Sequence, residues 1–100
     1  MQQNTVANQL EAMGNLTRMA IYQQLVKAGD RGIQVGEIKQ VIGIPASTLS
    51  HHLAKLVNQG LISQQRESRN LVCCCNYMKM NELLGYLSEN CCSGQDSCQS

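Results

Sequence analysis

The chain has 100 residues, 43% hydrophobic and 15% charged, which suits one small globular domain and excludes a disordered polymer. With three Tyr and neither Phe nor Trp its core is thin, so a partner subunit would add burial that one chain lacks. The net charge of +1 excludes a uniformly basic coat, yet residues 47–80 hold Lys55, Arg66, Arg69 and Lys79 against Glu67 alone, ahead of an acidic end carrying Glu82, Glu89 and Asp96. That asymmetry points to an anionic partner for the middle of the chain.

The first ten residues, MQQNTVANQL, have neither a basic region nor an apolar core, so no signal peptide is expected. No apolar run reaches the roughly 18–20 residues of a membrane span. Val6, Leu10 and Met13 sit at helical spacing from about Thr5 to Met13, before Gly14-Asn15. A second helix begins near Leu16, carries Ile21, Tyr22 and Leu25 on one face, and stops at Ala28-Gly29-Asp30. Val35, Ile38, Val41 and Ile42 predict a short third helix closed by Gly43, and after Gly43-Ile44-Pro45 a fourth spans Ala46 to Gln59. Pro at the start and Gly60 past the end punctuate that helix, and two helices joined by a three-residue turn form a helix-turn-helix.

Beyond Gly60 the period changes. Leu61–Arg66 and Leu71–Tyr77 read as strands joined by Glu67-Ser68-Arg69-Asn70, a hairpin without the usual turn Gly. Met80, Leu83, Leu84 and Leu87 then predict a last helix ending near Asn90. The expected architecture is mainly α with a β-hairpin: four helices, a hairpin wing and a C-terminal helix, in a single winged helix-turn-helix domain over residues 1–100 with residues 91–100 as a Cys-bearing tail.

On a helical wheel, Leu49, Leu53, Leu56 and Val57 fill one side of the fourth helix, and Ser47, Thr48, His51 and Lys55 the other, with Ser50 and His52 on the flanks. Small hydroxyls and an imidazole suit base edges in a major groove, with Lys55 within reach of a phosphate. Arg66 and Arg69 at the hairpin tip would straddle a neighbouring phosphate run or minor groove. A polar helix face is by itself more often merely solvated; here the turn, the hydroxyl-rich start and the basic hairpin together favour double-stranded DNA. His51 and His52, adjacent on a helix, diverge too far to share one metal ion easily.

The stretch Leu10-Glu11-Ala12-Met13-Gly14-Asn15-Leu16-Thr17-Arg18 resembles the start of arsenic-repressor-type (ArsR/SmtB) regulators. Pro45-Ala46-Ser47-Thr48-Leu49-Ser50-His51-His52-Leu53 and Asn58-Gln59-Gly60-Leu61-Ile62 resemble their recognition helix and its exit. Leu16 stands where that family usually has Pro, and Cys73 to Cys75 replace hairpin positions that are commonly aromatic or polar. The resemblance implies a cytoplasmic repressor, not an enzyme, that binds operator DNA as a homodimer through its first and last helices. The apolar stripes on those two helices support the same pairing.

All six Cys lie between positions 73 and 98. Clustered thiols without an export signal are better read as metal-binding or redox-active than as a disulfide framework. In Cys91-Cys92-Ser93-Gly94-Gln95-Asp96-Ser97-Cys98, the five residues between Cys92 and Cys98 allow a third sulfur to return to the first two. Three thiolates without a fourth ligand suit a soft ion taking three bonds, and As(III) fits better than zinc, which usually takes four. Within the resembling family, this tail is similar to that of repressors responding to As(III), often to Sb(III) too. The family's other metal sites are missing here: Val35-Gly36-Glu37-Ile38-Lys39 lacks sulfur, and the last helix lacks His. The tail thiols as a redox pair remain the alternative, and Cys73-Cys74-Cys75 read first as small hydrophobes, with Cys73 and Cys75 sharing one strand face.

Overall fold

The computed structural model describes residues 2–89 and Gly94. Apolar side chains at three- and four-residue intervals build five helices among them: α1 (Gln3–Met13), α2 (Leu16–Ala28), α3 (Val35–Ile42), α4 (Ala46–Asn58) and α5 (Tyr77–Leu87). Three strands, β1 (Ile33–Gln34), β2 (Ile62–Glu67) and β3 (Asn70–Cys75), form one antiparallel sheet in the order β1-β3-β2. This is a winged helix-turn-helix, as expected from the order of elements.

α2 is the packing centre, touching β3, α3, α4 and α1. Its Ile21 and Leu25 meet Ile38 of α3, Leu49, Leu53 and Leu56 of α4, Leu61, and Cys73 of β3 in one buried cluster. Replacing any of these aliphatics with Ala would cost about 2–5 kcal/mol, a large share of a small domain's stability. Cys73 and Cys75 are buried on one face of β3, and Cys74 lies half-exposed on the other. The two inward thiols therefore serve as small core residues.

The α4 boundaries are chemically explicit. Pro45 caps the N-terminus at φ −61°, and its carbonyl accepts from Leu49 N at 2.9 Å. At the other end Gly60 takes a left-handed φ of +73°. Its amide donates to Val57 O at 2.9 Å, and the Leu61 amide donates to Leu56 O at 3.0 Å. That pair of bonds is a Schellman motif, which turns the chain directly from α4 into β2.

Several expectations need correction. The wing is a three-stranded sheet, not a bare hairpin: Ile33 pairs with Cys73 and Gln34 with Val72. A two-residue strand is too short to show a period of two. It is seated by Gly32, where a Cβ would stand 2.6 Å from Cys74 Sγ and 2.7 Å from Cys73 O, closer than any side chain tolerates. The second wing strand ends at Cys75, and Tyr77 opens α5, because the Asn76 side chain caps that helix by accepting from Lys79 N at 3.3 Å. α5 ends at Leu87 rather than near Asn90, with the Ser88 hydroxyl donating to Leu84 O at 2.9 Å. Val41 is 56% exposed, so α3 buries only Ile38 fully.

The wing turn is tighter than expected, since Glu67 pairs with Asn70 and only Ser68 and Arg69 remain between the strands. Ser68 takes φ 59°, a conformation that strains a residue bearing a Cβ. Ser68→Gly is expected to stabilise the domain by roughly 0.5–1 kcal/mol, the relieved strain exceeding the added chain entropy. Thermal unfolding followed by circular dichroism measures this; an unchanged or lower midpoint would refute strain at the turn.

Candidate nucleic-acid interface

α4 turns Leu49, Leu53 and Leu56 into the core and so leaves Ser47, Thr48, Ser50 and His51 exposed on one surface. The wing carries Arg66, exposed on β2 opposite Leu71, and Arg69, exposed in the turn. The exposed side of α4 thus holds hydroxyls and an imidazole, and the wing holds two exposed guanidinium groups, the chemistry that positions a protein on phosphates and probes base edges.

Lys55 is less free than the helical wheel suggests. It is half-buried, and its ammonium lies 3.5 Å from Glu11 Oε2 of α1. An ion pair this exposed contributes at most about 1 kcal/mol, so a phosphate can compete for the lysine.

Behind the face lies a group that the sequence reading passed over. Arg18 of α2 is 6% exposed. Its Nε donates to Ala12 O, and its Nη2 approaches Glu11 O at 3.5 Å and Glu11 Oε2 at 3.8 Å. Its Nη1 meets Nδ1 of His52 on α4 at 3.1 Å. One side chain therefore ties the end of α1 to α4. The signal was available: Arg18 stands three, four and seven residues before Ile21, Tyr22 and Leu25, on their buried face. A second tie runs from buried Gln9, whose Nε2 donates to Gln59 O at 3.2 Å, just past α4.

Burial first, then the nearby charges of Arg18, His51 and Lys55, push the His52 pKa below its ordinary value. The ring is neutral at pH 7. Burial likewise raises the Cys73 thiol, opposed by a hydrogen bond from Gln64 Nε2, and raises the Cys74 thiol with help from Cys75, Asp30 and Glu67. Tyr22, packed by Cys75, is pushed up to about 12, mainly by burial.

Among the described residues no group of three or more His, Cys, Asp or Glu is placed to hold a metal ion. Cys73, Cys74 and Cys75 face alternate sides of β3 and do not converge. The proposed ligands Cys91, Cys92 and Cys98 lie outside the described residues.

Residues 13–65, from the end of α1 through the start of the wing, match the helix-turn-helix domain family. The chain belongs to that family. Three curated relatives are similar. The HTH-type transcriptional regulator YgaV of Escherichia coli K12 is 35% identical over 63% of this chain and 62% of its own length. The nodulation protein NolR of Rhizobium meliloti is 34% identical over 80% and 63%. The putative arsenical resistance operon repressor ArsR2 of Halobacterium salinarum is 33% identical over 58% and 48%. The chain thus spans under two thirds of the length of these relatives. Among solved structures, an ArsR-family transcriptional regulator superposes with a TM-score of 0.82 at 15% identity, covering 98% of both chains. HlyU of Vibrio cholerae superposes at 0.68 with 32% identity, covering 87% of this chain and 97% of its own. The fold is that of an ArsR-family winged-helix regulator.

The wing thiols provide a direct check on this geometry. In the folded protein Cys74 should alkylate first of the three, and slowly at neutral pH, because a raised pKa keeps the thiolate scarce. Its rate should keep rising at a pH where an ordinary thiol has levelled off. Cys73 and Cys75 should label only on unfolding. Peptide mapping by mass spectrometry reads all three, and native labelling of Cys73 as fast as Cys74 would contradict the strand orientation.

Proposed function

We propose that this chain is a cytoplasmic, homodimeric DNA-binding repressor that releases its operator when As(III), with Sb(III) as a second ligand, binds Cys91, Cys92 and Cys98. The observation that carries the trigger is the donor set itself: three thiols in a Cys-Cys-x5-Cys tail soon after α5. Arsenous acid reacts with three thiols, each S–H proton leaving with one As–OH hydroxyl as water while an As–S bond forms, and the product needs no fourth ligand. The similarity to an arsenical resistance operon repressor supports the same reading.

DNA binding rests on the exposed face of α4 and the wing arginines. Dimerisation is supported by apolar surface left uncovered on α1 and α5, where Leu10, Leu84 and Leu87 are exposed. Among the described residues no helix is long and apolar enough to cross a membrane. Ligand at the tail would act on the end of α5 and hence on the dimer seam. The ties from α1 to α4 through Arg18 and Gln9 then carry a change of seam geometry to the recognition helix. The coupling is reciprocal, so DNA weakens arsenite binding by the same factor, about 1–3 kcal/mol.

A second reading keeps the DNA binding and changes the signal. Peroxide would oxidise Cys92 and Cys98 to a disulfide, itself being reduced to water; adjacent Cys91 and Cys92 would make a strained pair. It is favoured by the similarity to HlyU, which has also been solved in a reduced form and there is 30% identical to this chain.

The experiment is a DNA-affinity titration with and without arsenite, joined to intact-protein mass spectrometry. The expected result is one arsenic per chain and a five- to 150-fold loss of affinity. Cys98→Ser should abolish that loss. Arsenite-triggered release that survives Cys98→Ser overturns the trigger, and a two-proton mass loss with release under peroxide alone transfers the signal to the disulfide.

A further inference from the structure

A guanidinium has five N–H donors and no acceptor, so the 3.1 Å contact between Arg18 Nη1 and His52 Nδ1 has only one polarity: Arg18 donates. A neutral imidazole carries one proton, and with Nδ1 accepting, that proton sits on Nε2. The groups around the ring reinforce this state. Arg18 faces it from α2, and His51 and Lys55 from its own helix. Glu11 of α1 is turned to Arg18 and Lys55, at 3.8 Å and 3.5 Å, rather than to the ring. Among the described residues the buried side-chain polar atoms without a partner are Gln9 Oε1 and Tyr22 OH; Nε2 is not one of them, and His52 is half-exposed beside the outward face of α4.

We propose that Arg18 is a positioning residue that locks His52 as the Nε2–H tautomer, so that α4 offers DNA one hydrogen-bond donor of fixed sense at this position. This deepens the DNA-binding reading and rests on it. Such a donor recognises only acceptors: O6 or N7 of guanine, N7 of adenine, O4 of thymine, or a phosphate oxygen. It rejects the amino groups of cytosine and adenine. A histidine free to exchange tautomers would accept both kinds of group and discriminate less.

The test combines ring spectroscopy with a double-mutant cycle. In the free wild-type protein labelled with 15N-histidine, the His52 signals, assigned by their loss in His52→Ala, should show Nδ1 unprotonated and Nε2 protonated. Arg18→Lys keeps the positive charge but loses the fork, and should mix the two tautomers. Duplexes selected by the wild-type protein from a random-sequence pool then serve as probes. Arg18→Lys and His52→Ala should each weaken binding about five- to tenfold, the scale of one hydrogen bond, and the double variant no more than His52→Ala alone. Relaxed preference at one base pair in His52→Ala marks a base edge as the acceptor; uniform weakening across sequences marks a phosphate.

Fully additive losses, or an Nδ1–H ring in the wild type, overturn the lock. The second of these needs no Arg18 variant, so the proposal stays testable if Arg18→Lys does not fold. If the wild type selects no duplex at all, the DNA-binding reading itself fails and the proposed recognition with it, whereas selected duplexes with additive losses remove the lock alone.

Discussion

A buried guanidinium holds this domain in register. Arg18 has left water almost completely, and an unpaired charge in that position would cost several kcal/mol. Its partners are two carbonyls at the end of α1, the Glu11 carboxylate and the His52 ring. Those groups come from two other helices, so satisfying the charge fixes where α1 ends and how α4 lies against α2. The break between α1 and α2 serves this end. The Asn15 side chain caps α2 by accepting from Arg18 N at 3.0 Å, placing the arginine in the first turn under the end of α1.

The thin core explains the choice of residues on β3. Without Phe or Trp, close approach of elements must replace bulk, and small side chains permit it. Cys73 and Cys75 fill the inner face of β3 where α2 crosses it, while Gly32 lets β1 lie against Cys73 and Cys74. Thiols suit this layer because they pack as small hydrophobes and carry no strong polar group to satisfy. Burial raises the Cys73 and Cys74 thiols, and Cys73 and Cys75 face the core while Cys74 faces away from it.

The helices were legible because each announces itself twice, by apolar spacing and by punctuation. Pro45 and Gly60 bracket α4, and Gly43 closes α3, as the structure shows. β1 was not legible: two residues have no period, and its partner lies nearly forty positions away. Tyr77 was misassigned because β-propensity outweighed the cap that Asn76 supplies. The exposure of Ser47, Thr48, Ser50 and His51 in the candidate interface followed from the helical wheel. Its supporting half did not, because α2 announces itself through the apolar Ile21, Tyr22 and Leu25, and Arg18 is a charge at a position on the same buried face. Leu16, standing where the resembling family usually has Pro, is 87% exposed at the first residue of α2, so the departure leaves the packing intact.

Magnitudes decide which contacts hold α1 to α4. The Lys55–Glu11 pair is exposed and screened and contributes at most about 1 kcal/mol, so a phosphate can compete for the lysine. The Arg18 contacts and the Gln9 bond are buried or partly buried, and breaking one leaves a desolvated group without a partner, at about 1–3 kcal/mol each. α1 therefore cannot shift alone. A displacement of α1 either takes α4 along or breaks at least two such bonds. The exposed pair can then open and close while the buried ties hold α1 to α4, a division set by burial rather than by residue type.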